Sequence, residues 1–125
     1  MTGSTLFSIE KSLCFERSFK KLAKVHGKAF VVHIAEVLES LIENPYPQSS
    51  RREPLPSRLQ LPEGWTFHKL EIWVAKGASG QVRLMYLVNE ESLTIELVWI
   101  YSHDQFKKRP AEADLKAVLR EILDF

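Results

Sequence analysis

Four kinds of side chain in this sequence can do chemistry. Arg83 stands in the alternating stretch Gln81-Val82-Arg83-Leu84-Met85-Tyr86, and a guanidinium can grip a phosphate through a bidentate fork. Its purely structural alternative is an ion pair on a sheet, with Glu71 or Glu96. His103 follows the last apolar stretch in a polar segment, where an imidazole can give or take a proton near neutral pH or simply face water. Lys107-Lys108-Arg109 is the densest basic run, able to contact phosphates or to remain solvated. Tyr86, Tyr101 and Phe106 can stack on a base or fill a core; Tyr86 reads more strongly as core than Phe106. Lys69, Lys76 and His68 are secondary candidates: Lys69 shares a strand face with Glu71, which favours an ion pair. His68 alternates with Leu70 and Ile72, the pattern of a half-buried, hydrogen-bonded histidine.

The chain carrying these residues has 125 residues, 17 Lys+Arg against 16 Asp+Glu and a formal charge of +1. A strongly basic polyanion binder is therefore excluded, and a nucleic-acid role must rest on where the cations sit. Residues 1–62 hold nine basic and six acidic groups and residues 63–125 eight and ten, an imbalance too small to separate two functional halves. The size suits one domain over residues 1–125 with a single core. One cysteine, Cys14, excludes an internal disulfide, and no His or second Cys stands at ligand spacing from it, so no metal and no cofactor are expected. The N-terminal residues lack the basic start and apolar run of a secretory signal, and no apolar stretch is long enough to span a membrane. These features point to the cytoplasm.

Periodicity gives the elements that must position the chemistry. Ser12–Phe15 reads as a short strand. Phe19, Leu22 and Ala23 recur at helical spacing among Lys20, Lys21 and Lys24, and Gly27 ends that helix. A second helix carries Phe30, Ile34, Val37, Leu38, Leu41 and Ile42 on one stripe. Asn44-Pro45-Tyr46-Pro47 breaks it, because proline lacks the amide hydrogen and restricts the preceding residue. Residues 44–64 hold five of the six prolines and read as a long irregular connection. Thr66–Lys76, Gln81–Val88 and Leu93–Tyr101 then alternate as three strands joined by short turns. A helix over 110–124 closes the chain, with Leu115, Val118, Leu119 and Ile122 on one face. The expected fold is α+β and two-layered, β-α-α-β-β-β-α, with the N-terminal strand and helical hairpin packed on an antiparallel sheet.

In that order the sequence resembles the RelE/ParE superfamily of bacterial type II toxin–antitoxin toxins. Phe15-Glu-Arg-Ser-Phe-Lys-Lys-Leu-Ala-Lys looks like the family's strand-to-helix opening, and Leu41-Ile42-Glu43-Asn44-Pro45 like its second helix ending. Phe67–Ile72 and Gln81–Tyr86 are similar to its tandem strands, and Tyr101-Ser102-His103-Asp104-Gln105-Phe106-Lys107 to the end of its last strand. The likeness runs from about residue 12 to about residue 108. It departs in two places: Lys69-Leu70-Glu71 reverses the charges of the family's Glu-Leu-Arg triplet, and the C-terminal helix extends beyond compact members, to fold over the sheet or offer a docking surface.

The resemblance implies one of two activities, and fold alone does not choose between them. RelE-like members cut ribosome-bound mRNA without a metal; ParE-like members inhibit DNA gyrase. A relative that only binds partners is the third option. Both active classes are neutralised by a cognate antitoxin protein. Metal-free cleavage needs a base for the 2′-hydroxyl, an acid for the leaving 5′-oxygen and fixed cations for the phosphorane. On the family pattern Arg83 and His103 would carry catalysis, with Tyr101 as a further catalytic candidate by residue type; Lys69, Lys76, Phe106, Lys107 and Lys108 are the candidate RNA-binding residues by type and position.

Overall fold

The computed structural model describes residues 6–75, 77 and 80–124. The chain opens with strand β1, Ser8–Lys11, followed by helix α1, Leu13–His26. Ser12–Phe15, expected as strand, thus begins a helix instead. Ser12 caps it, its Oγ accepting the Phe15 amide at 3.0 Å and satisfying one of the donors a first turn leaves orphaned. At the other end Gly27, with φ of 83°, donates its amide to the Ala23 carbonyl, a left-handed conformation that glycine adopts without penalty. Helix α2, Lys28–Glu43, returns alongside and buries Phe30, Ile34 and Leu41.

The segment after α2 is not wholly irregular. Ser50–Arg52 forms a short strand, β2, paired antiparallel with β3, Trp65–Trp73. Three polar residues carry no readable hydrophobic period, which is why prolines alone dominated this stretch of sequence. β4, Gln81–Asn89, and β5, Thr94–Ser102, complete a five-stranded sheet of order β1-β5-β4-β3-β2, in which only the β1–β5 pair is parallel. The fold is α+β, as the residue pattern implies.

Each sheet face has its own core. The α1–α2 hairpin covers one, where Phe15, Leu22, Phe30, Ile34 and Leu41 meet Leu70, Leu84, Tyr86, Ile95 and Leu97. Helix α3, Glu112–Leu123, lies over the other, burying Leu115 and Leu119 against Phe67, Met85, Leu87, Val98 and Tyr101. Each of those leucines contributes about 2–3 kcal/mol of apolar burial, so α3 is part of the body of the protein.

The switch of faces along β5 depends on one residue. Met85 pairs with Trp99 while Tyr86 pairs with Leu97, leaving Val98 unpartnered in a β-bulge. Val98 and Trp99 consequently both join the α3-side core, whereas Leu97 and Ile100 join the other. The extra residue reverses the parity of the strand beyond it. Tyr101 is thereby placed directly opposite Arg83, on the face that carries the candidate chemistry.

Candidate functional site

The site is built where β4 begins and β5 ends. Arg83 occupies a ladder position between Glu71 of β3 and Tyr101 of β5. Immediately after β5 the chain turns: the Gln105 and Phe106 amides donate to the Ser102 carbonyl, the Ser102 amide donates to Gln105 Oε1, and the His103 amide donates to the Gln81 carbonyl at 2.8 Å. This turn brings His103 Nδ1 to 3.1 Å from Arg83 Nη1. Arginine has only donors, so Nδ1 is the acceptor and Nε2 carries the ring hydrogen. Both side chains are partly exposed.

Glu53, Glu112 and Glu71 are paired with other cations. Glu53, buried to 7% exposure, lies 3.3 Å from Lys69 Nζ through Oε1 and 3.0 Å from Arg109 Nη1 through Oε2. Arg109 also donates to the Pro54 carbonyl and to Glu112, whose second oxygen accepts the Ser57 amide. The paired guanidinium and the Ser57 amide hold the Glu112 carboxyl below the ordinary carboxylate value. Glu71 faces Arg51 at 3.9 Å. Among the described residues Arg83 makes no ion pair, although Glu71 is its neighbour across the ladder. Its one polar side-chain contact there is the His103 ring. A neutral imidazole is a weak partner for a guanidinium, so an incoming anion has little to displace.

Several expected site residues occupy other roles. Tyr101 is fully buried, and its hydroxyl donates to the Lys108 carbonyl at 3.0 Å. Burial, with the Glu53 carboxylate nearby, pushes its pKa well up. It anchors the segment beyond the turn and has no face open to a nucleobase or leaving oxygen. Lys69 is only 7% exposed and is neutralised by Glu53 rather than Glu71; it is unavailable to RNA. Tyr86 points into the hairpin-side core and donates to the Pro45 carbonyl at 2.7 Å. His68 is likewise buried, bonded through Nε2 to Thr66 Oγ1. Phe106 is half-buried, edge-on to Tyr101 and Trp99. Lys107 and Lys108 are exposed, and the Lys108 carbonyl accepts from the Tyr101 hydroxyl. Lys76 lies outside the described residues.

Sequence reasoning missed Arg51, Glu53 and the second role of Arg109. Arg51 is placed on this face by β2, opposite Lys69, and the one trace of it in the sequence was the Arg51-Arg52 pair inside the proline-rich connection. Nothing local marks Glu53 as the buried counter-ion. Among the described residues no three His, Cys, Asp or Glu side chains group as metal ligands, and no helix is long and apolar enough to cross a membrane.

No family model and no curated protein sequence matches the chain. Solved structures do. A double arginine-to-alanine variant of the E. coli toxin RelE in the free state matches at a TM-score of 0.54 and 14% identity, over 90% of this chain and 95% of that one. RelE in the archaeal RelE–RelB complex of Pyrococcus horikoshii OT3 matches at 0.52 and 15%, over 78% of this chain and 94% of the other. The chain has the RelE toxin fold. On that fold Arg83 lies near the start of β4, paired on both sides, and His103 follows directly after β5. At such low identity the likeness extends to the backbone arrangement, and the chemistry must be argued from these side chains.

Proposed function

We propose that this protein is a RelE-like toxin that cleaves mRNA on the ribosome, with Arg83 and His103 as its catalytic pair and a cognate antitoxin as its inhibitor. The observation that carries this reading is the contact between Arg83 and His103 Nδ1, made by a guanidinium with no carboxylate partner among the described residues.

In the free protein Arg83 occupies the lone pair of His103. A phosphodiester entering the site draws the guanidinium to its non-bridging oxygens, where two parallel N–H···O bonds replace one bond to a neutral ring. Nδ1 is then free to take the proton of the adjacent 2′-hydroxyl. The 2′-oxygen attacks phosphorus, Arg83 balances the charge that develops on the phosphorane, and the 5′-oxygen departs with a proton given up by the His103 imidazolium, which returns the ring to its neutral form. Lys107 and Lys108 supply ammonium groups beside the leaving strand. The products are a 2′,3′-cyclic phosphate and a 5′-hydroxyl. The local cations suffice for one phosphate although the chain as a whole carries only +1.

An antitoxin needs accessible apolar side chains, and the hairpin offers exposed Val25, Val31 and Val32, of which Val31 lines a groove with Phe15, Phe19 and Leu38. The test is induction of the chain in bacteria with mapping of mRNA 5′ ends. Growth arrest with cuts in translated messages, lost in Arg83→Ala and His103→Ala, is the expected result. Arrest with intact mRNA and damaged DNA would instead indicate gyrase inhibition, and no arrest with retained partner binding would leave a binding module.

A further inference from the structure

Beyond the turn that carries His103, a cleft of about 570 Å³ opens between the start of α1, the end of β5 and α3. Its size lies in the range of small-molecule sites. Trp99 and Phe106 form one aromatic wall, their rings edge-to-face at 6.0 Å, and Val118 and Ile122 of α3 form another. Arg17 and Lys21, one helical turn apart on α1, stand at the rim and make no ion pair among the described residues. Glu121 is the carboxylate of the lining, so the rim keeps a net positive charge.

We propose that this cleft is a nucleotide subsite, taking the base of a single-stranded RNA residue that neighbours the phosphate held by Arg83. Apolar walls with aromatic rings accept any base, and adjoining cations hold the backbone phosphate. Phe106 sets the cleft close to the Arg83 site, although neither Arg83 nor His103 lines it. Phe106 lies 5.7 Å from the ring of Tyr101, and Tyr101 is the ladder partner of Arg83, one strand spacing or about 4.8 Å away. The turn Ser102–Phe106 carries His103, which contacts Arg83, near one end and Phe106, which lines the cleft, at the other. This inference rests on the RNA-cleaving reading of the same face, and it assigns Arg17 and Lys21 a contact with substrate.

Cys14, the single cysteine of the chain, lines the cleft and reports on its occupancy. Burial pushes its thiol up to about 11, so alkylation is slow and readily compared with and without ligand. The probe is a short 2′-O-methyl oligoribonucleotide, which lacks the nucleophile and is not cut. The oligonucleotide should slow alkylation of Cys14 severalfold and shift the Trp99 indole resonance. Arg17→Ala/Lys21→Ala, on an exposed helix face, should weaken its binding roughly tenfold while leaving the circular dichroism unchanged. If the oligonucleotide perturbs His103 resonances but neither Cys14 nor Trp99, the subsite is refuted and the cleavage site stands. If it perturbs none of them, the subsite is refuted, and cleavage on the ribosome is judged separately by the mapping of mRNA 5′ ends.

Discussion

His68 ties the stability of this fold to pH. The residue is 5% exposed, its Nε2 lies 2.7 Å from Thr66 Oγ1, and its ring sits between those of Tyr46 and Tyr86 at centroid distances of 5.1 and 5.5 Å. Burial, and secondarily the Arg52 guanidinium, lowers its pKa from 6.5 to about 4, with Glu90 opposing in part. The unfolded chain binds the proton near the ordinary value, whereas the folded chain resists it. Stability is therefore full above about pH 6.5 and falls as pH drops toward the folded value. The two values imply a loss of about 2 kcal/mol at about pH 5, approaching about 3 kcal/mol at lower pH. Urea unfolding followed by tryptophan fluorescence at about pH 7 and about pH 5 measures it. His68→Gln keeps a hydrogen-bonding side chain that does not titrate, and carboxylates elsewhere affect both proteins alike, so the difference between them isolates the imidazole. The variant should lose about 2 kcal/mol less than the parent over that interval. Equal losses, or a His68 proton resonance titrating near the ordinary histidine value, would refute the reasoning.

Three further outcomes test the packing around the site. Glu53→Gln removes the charge that neutralises both Lys69 and Arg109 and should cost about 3–5 kcal/mol in urea unfolding, much of it recovered when Lys69→Met is added. Tyr101→Phe deletes the bond to the Lys108 carbonyl; it should destabilise by about 1 kcal/mol and speed hydrogen exchange across residues 106–109. Leu119→Ala, in the core beneath α3, should cost about 2–5 kcal/mol in urea unfolding; a loss of a few tenths would show that α3 does not belong to the folded body.

Local signals in the sequence located most elements. The stripe from Phe30 to Leu41 marked α2, Gly27 marked the hairpin, and alternation marked the three long strands, because helical and extended backbones impose distinct periods on the side chains that must be buried. The same alternation correctly set His68 with Leu70 and Ile72. It misread Ser12–Phe15, since two apolar residues at a spacing of two fit a strand as well as the first turn of a helix, and the deciding bond comes from the Ser12 hydroxyl. It also had no means to find β2, three polar residues whose pairing is supplied wholly by β3.

For the site, the sequence determined the residue types: an arginine within β4, a histidine after β5 and a basic run beyond it. Which of them are free to act was decided in three dimensions. Charge is neutralised through space, so Lys69 is consumed by Glu53, sixteen positions away along the chain, while Arg83 is left with an imidazole. Strand parity is a sum over every residue, so the single bulge at Val98 carries Tyr101 into the core opposite Arg83, and no local pattern announces it. A side chain's chemistry is written in its formula, but its availability depends on partners that only the folded chain brings near.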